Sequence, residues 1–288
     1  IGFCAPSVIS IANTSSGSAH MGRIGRSFQL VGQSYRVLMQ DKELMVLPLM
    51  SGLIVLALVA AMAVGFGLSG AQFQQRGPET YIPIFLMYVV AYSVGLFFQA
   101  AVVAGAIERM RGGDPTIGSA LGAASRRIGP ILMWAVVAAT VGTLLRMVQD
   151  RVGFLGKIVV AIAGAAWSLA TFFVVPVLVL EDRSMRESFT RSVSIFKTTW
   201  GETMVGGVTL GMAGLCAWVT LIAVTGLLAY LIGVAAVAFF VIGAVALMVL
   251  FNTLNGVYLA SLYRYATEGE PPAGFDAALL AGAFKSKT

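Results

Sequence analysis

TMVGGVTLGMAGLCAWVTLIAVTGLLAYLIGVAAVAFFVIGAVALMVLFNTLNGVYLASLY, residues 203–263, runs for sixty-one positions without an Asp, Glu, Lys or Arg. One helical crossing of a bilayer core takes about 20 apolar residues, so this run is long enough for two. That makes the chain a polytopic membrane protein before any motif is considered. Composition agrees: 58% of residues are hydrophobic, 11% are charged, and the mean hydropathy is +0.88. Soluble domains carry about 25% charged residues. The charged stretches between apolar runs are too short to bury a core of their own.

Four further charge-free runs precede it, at residues 44–75, 80–107, 128–145 and 158–180. The long run is expected to break between Thr225 and Gly233, where Gly226, Tyr230 and Gly233 permit a tight turn. The expected fold is all-α, with six transmembrane helices at about 44–69, 82–107, 129–147, 156–180, 203–226 and 233–262. Pro83, Pro130 and Pro176 fall near span ends, where helix starts and kinks are tolerated. Six spans place both termini on one side. Fifteen of the nineteen basic residues fall on that side, leaving only Arg76, Arg146, Arg151 and Lys157 opposite. The positive-inside bias then puts both termini in the cytoplasm of a bacterial inner membrane. The pI near 9.5 is read as a topology signal and an attraction to anionic lipid headgroups, not as nucleic-acid affinity.

A pattern precedes each expected hairpin. Ile24, Phe28, Val31, Tyr35 and Leu38 step by 4, 3, 4 and 3, as do Ile117, Leu121, Ala124, Ile128 and Ile131, and then Met185, Phe189, Ser192, Phe196 and Thr199. Such steps put the positions on one helix face. Ser27, Ala120 and Ser188 each sit just before the second position. We read three copies of one unit, an amphipathic cytoplasmic helix followed by a transmembrane hairpin, weakest in the third copy, where Ser192 and Thr199 are polar. These helices are expected either in the interface or packed under the bundle. A short amphipathic helix is expected in the tail, 266–288, closed by Lys285 and Lys287. Residues 1–20 carry no charge and no basic n-region, and read as a leader or tag remnant before Met21.

The most specific stretch runs from Pro176 through Glu181-Asp182, Ser188-Phe189, Arg191-Ser192 and Phe196-Lys197 to Trp200-Gly201-Glu202. Arg26-Ser27-Phe28 through Asp41-Lys42-Glu43-Leu44 to Pro48 has a matching flavour. Both resemble an uncharacterised bacterial family of six-span membrane proteins known only as a domain of unknown function. The layout is also distantly similar to the membrane domain of some glycerophosphodiester phosphodiesterases. The resemblance implies a six-helix membrane fold and no known activity. No counterpart of the soluble phosphodiesterase domain is present to carry that chemistry over.

Catalytic groups are sparse. The single histidine, His20, lies outside every expected span, which excludes His-based triads and His-rich metal sites within the bilayer. Cys4 and Cys216 form no CxxC pair, and Cys216 reads as a small apolar packer in the fifth span. No cofactor is implied. Glu181 and Asp182, beside Arg183 and Arg186, form a candidate interfacial site, read as a salt-bridged cap of the span more than as a headgroup or metal site. Arg146 and Asp150, four apart, could pair across one turn. Gln99, Asn252 and Asn255 are the polar residues inside the spans and form a candidate pocket, although such amides more often bond a neighbouring helix. Ala57, Ala61 and Gly65 in the first span, with Gly207 and Gly211 in the fifth, are candidate helix-packing ladders.

The expected function is non-catalytic: to organise lipid or a partner membrane protein, with self-association as another use of the small-residue faces. The alternative is a transporter or channel for a neutral or lipidic substrate. An interfacial enzyme built on Glu181 and Asp182 is the third and weakest reading.

Overall fold

The computed structural model describes residues 32–36, 38–65 and 81–269, with only the backbone described at 81 and 198–209. The expected leader, the start of the first amphipathic segment and the tail helix lie outside the described residues. All regular structure among the described residues is helical. A 3₁₀ turn, Lys42–Met45, leads into α1 (Val46–Gly65). Then come α2 (Tyr81–Met110), α3 (Ile117–Ser125), α4 (Ile128–Arg151), α5 (Phe154–Ala170), α6 (Val174–Leu180) and α7 (Met185–Ile232). A second 3₁₀ turn, Gly233–Ala235, passes the chain to α8 (Ala236–Glu268). Five stretches are long and apolar enough to cross a membrane: Lys42–Gly65, Ile82–Met110, Ile128–Arg151, Phe154–Leu180 and Leu210–Glu268. The chain is therefore a membrane protein. The last stretch, of 59 residues, holds two helices separated by the turn at Gly233. Gly233 has φ +62°, a backbone that L side chains rarely adopt, so glycine is the residue that closes this turn without strain.

Contacts fix the helix directions. A Cβ on Gly214 or Gly243 would touch Phe251 or Leu221, so α7 and α8 run antiparallel. Trp134 stacks on Trp167 with ring centroids 5.8 Å apart, while Leu145 reaches Gly164, so α4 and α5 are antiparallel too. Val102 lies against Gly256 and the Met110 carbonyl against Arg264, so α2 and α8 run parallel. The start of α1, the end of α2, α3, the start of α4, α6, the start of α7 and the end of α8 consequently meet at one end of the molecule.

The packed core sits at that end. Leu38, Leu44 and Leu47, most of α2 from Leu96 onward, Phe173 to Leu178, and Tyr258 to Leu262 are buried together. Glycine lets two backbones close in: a Cβ on Gly256 would stand 2.6 Å from Val102 Cγ1. Toward the other end the helices remain apolar but exposed, as at Val64, Phe154, Leu155, Tyr230, Val234 and Ile242.

The fourth apolar stretch is not one helix. It breaks at Thr171–Phe173, between α5 and α6. Pro176 explains the break: it has no N–H, and its ring would clash with the carbonyl four residues earlier, at Phe172. Ser192 of α7 repairs part of the damage. Its hydroxyl donates to the Ala170 carbonyl at 2.7 Å and accepts the Phe173 N–H at 3.1 Å. Ser192 is fully buried. The polar residue that spoils the third copy of the repeat is thus the residue the break requires.

Two of the three expected amphipathic segments begin alike, although Ile128, on the expected face of the second, is exposed beyond the end of α3. α3 begins after Thr116 and α7 after Ser184, each in a reciprocal capping box with the residue three positions on. Ala120 and Ala124 in α3, and Ser188 and Ser192 at the matching positions of α7, are all fully buried. Both segments therefore pack on the bundle. α3 is a separate helix, ended at Arg126 and Arg127. The third amphipathic segment is not separate: Met185–Ile232 is one helix of 48 residues. At 1.5 Å per residue it is about 72 Å long. No proline lies within it to impose an end.

Candidate functional site

Polar side chains are spent where the helix ends meet. Arg109, in the last turn of α2, grips Asp41 through both carboxylate oxygens and reaches Asp114 at 2.6 Å. Asp41 is only 6% exposed, so this pair pins the segment before α1 to the end of α2. Glu108 accepts the Ser119 hydroxyl at 2.8 Å, which ties α2 to α3. Arg111 reaches Glu268 of α8 at 2.8 Å, and Arg264 meets Glu268 at 2.6 Å. Arg264 also donates to the Met110 carbonyl, covering an open group at the C-terminus of α2.

Glu181 is the hub. It follows the last residue of α6, where the chain turns extended. Its Oε1 accepts the Tyr263 hydroxyl at 2.9 Å and Arg191 Nε at 3.2 Å, while Oε2 pairs with Arg183 Nε. Its backbone carbonyl accepts Arg127 Nη2 at 2.8 Å, and Arg127 Nη1 lies 2.5 Å from Asp182. One residue thus joins α4, α6, α7 and α8. Burial alone would raise the Glu181 carboxyl, but hydrogen bonds from Tyr263, Arg191 and Arg183 hold it below its ordinary value. Glu187 is also held low, by the Ser184 backbone N–H first and the Ser184 side chain second.

The four residues of the expected interfacial site are placed in two ways. Glu181, Asp182 and Arg183 come together. Arg186 joins no ion pair among the described residues, and instead lines a depression with Arg183 and Arg191. Arg127, Arg191 and Tyr263 belong to the cluster and were not expected there, while Asp41 and Arg109 form a separate pair at the same end of the molecule. Arg127 and Tyr263 border charge-free runs, a boundary signal that a sequence reader can use. Their pairing with Glu181 spans 54 and 82 residues and leaves no local mark.

The other expected sites are placed differently. Gln99 is half-buried, whereas Asn252 and Asn255 are exposed on α8. Ala57, Ala61 and Gly65 face outward on α1, and Gly211 has no neighbour within 4 Å of a would-be Cβ. Gly207 lies in α7 where only the backbone is described. Ala57, Ala61, Gly65 and Gly211 thus make no close helix contact among the described residues, whereas Gly105, Gly214, Gly243 and Gly256 lie close to side chains of neighbouring elements. Cys216 is exposed, not packed within the bundle. Arg146 and Asp150 make no ion pair among the described residues, and both point outward.

A family model described as "Family of unknown function (DUF6159)" matches residues 79–275. No curated protein and no solved structure matches the chain.

Proposed function

The chain belongs to the DUF6159 family of unknown function, and from that starting point we propose that it is a non-catalytic integral protein that organises lipid or a partner membrane protein. It spans the bacterial cytoplasmic membrane six times as three hairpins, with both termini in the cytoplasm. The antiparallel pair α7–α8 about Gly233 supports counting the last apolar stretch as two crossings. One observation carries the functional reading. The charged groups at the packed end are largely spent on one another, while the apolar helices leave that end with their outer halves exposed. Such a molecule offers surface to lipid or to another membrane helix rather than a reaction centre. The exposure of Asn252 and Asn255 favours this reading over passage of a neutral substrate between the helices.

The test is native mass spectrometry of the full chain extracted with surrounding lipid in polymer nanodiscs. Stoichiometric lipid or a second protein is the expected result. A bare chain from several gentle extractions overturns the proposal.

A further inference from the structure

The first four turns of α7 carry two faces. Ser188, Ser192 and Ile195 are buried, Ser192 against the α5–α6 break. On the opposite side Arg183, Arg186, Glu187, Thr190, Arg191 and Ser194 line an open depression of about 360 Å³. Arg186, Glu187, Thr190, Arg191 and Ser194, spaced by 1, 3, 1 and 3, share one stripe of the helix, and Arg183 joins them from the extended residues just before the Ser184 cap.

Charge in this depression is unbalanced. Three guanidiniums stand against one lining carboxylate, Glu187, and that carboxylate is turned to the start of the helix, where it accepts the Ser184 N–H at 3.0 Å. Arg183 and Arg191 share a second carboxylate, Glu181, which also serves Tyr263. Both reach it through Nε, so the Nη groups of Arg183 and Arg191 have no partner among the described residues. Arg186 has no ion pair there at all. A guanidinium offers five N–H donors in a planar fork suited to phosphate oxygens. The Ser194 hydroxyl is exposed on the same stripe and can add a neutral donor.

We propose that this depression binds a phosphate group, held by the Nη groups of Arg183, Arg186 and Arg191. The occupant is a phospholipid headgroup or a soluble phosphate ester, which share that chemistry. The depression lies on the same helix whose charge-free run begins at Thr203, and beside the end of the apolar stretch closing at Leu180. A phosphate here sits where anionic headgroups meet basic side chains. The lipid source rests on the functional reading above; the phosphate site does not.

The test uses the full chain in a neutral detergent, with adducts read by native mass spectrometry during titration with dioctanoyl phosphatidic acid. Dioctanoyl phosphatidylcholine and inorganic phosphate are titrated in parallel. Phosphatidic acid is expected to form a one-to-one adduct at lower concentration than phosphatidylcholine. Arg186→Gln should weaken it about tenfold, the loss of a charge-assisted contact, and Arg186→Lys less. Arg151→Gln, at the other end of α4, should leave it unchanged. Displacement by inorganic phosphate assigns a soluble ester; binding that resists it assigns the lipid. Equal binding by the wild type and Arg186→Gln at unchanged thermal stability, or no preference over phosphatidylcholine, overturns the site. Lipid that still co-purifies in that case leaves the organising function standing, whereas a lipid-free and partner-free chain that binds phosphate loses the function and keeps the site.

Discussion

Ser192 and Glu181 carry unequal shares of the structure for their size. Ser192→Ala would leave the buried Phe173 N–H and the Ala170 carbonyl without their Ser192 partner, at a cost of about 1–3 kcal/mol. The expected result is a lower Tm in detergent with helical content kept; an unchanged Tm would remove Ser192 from its structural role. At the hub, Tyr263→Phe deletes a part-buried donor and should cost about 1–2 kcal/mol. Glu181 also sets an acid limit. Its carboxyl is depressed below the ordinary 4.5 in the folded chain, so its contribution is present at neutral pH and fades as pH falls below about that value. Tm measured from about pH 6 down to about pH 3 should therefore drop less steeply in Glu181→Gln than in the wild type.

At the scale of elements, close approach and small size are different things. Gly256→Leu pushes a side chain into Val102 and should cost about 1–3 kcal/mol or more, read as a loss of Tm. Gly211→Leu and Ala61→Leu point into open space and should change the Tm of the isolated chain by no more than about 0.5 kcal/mol equivalent. Sequence pattern could not separate these cases. A GxxxG or an alanine ladder states that approach is possible, while the partner that uses it lies far along the chain, as Val102 does from Gly256. Apolar runs, by contrast, are local, and the helices α1, α2, α4 and α8 overlap them. The amphipathic stripe of α3 and early α7 was legible for the same reason, as periodicity needs no partner. Whether a stripe ends before its span was not. Arg126-Arg127 stop α3, yet Phe196 to Trp200 continue as helix with no stop signal. The break before Pro176 was legible only as a tolerance for kinks, because the group that satisfies it belongs to another helix. The candidate site was legible as charges beside a span end, whereas the tie from Tyr263 to the Glu181 hub was hidden, since Tyr263 is only the last residue of a charge-free run.

On the scale of the whole molecule, the packed end and the turn at Gly233 are set at opposite ends of α7 and α8. In a chain whose own cysteines are replaced by alanine, Ser194→Cys and Val234→Cys should be labelled by an impermeant maleimide from opposite sides of sealed vesicles, since both positions are exposed. Labelling of both from one side would refute the arrangement of the last two crossings. The α5–α6 break has a further consequence, in time rather than in space. The groups it opens at Ala170 and Phe173 wait for Ser192, which lies 22 and 19 residues further on. At about 5–20 residues per second, the ribosome supplies that serine roughly 1–4 seconds later. During that interval a segment already apolar enough to enter lipid carries backbone groups with no water and no partner, a state hydrocarbon penalises by several kcal/mol per group. The fourth stretch therefore cannot settle alone. Its final seating in the membrane is coupled to the birth of the next helix, and a nascent chain halted before Ser192 should be a substrate for membrane quality-control proteases, whereas one halted after α7 should not.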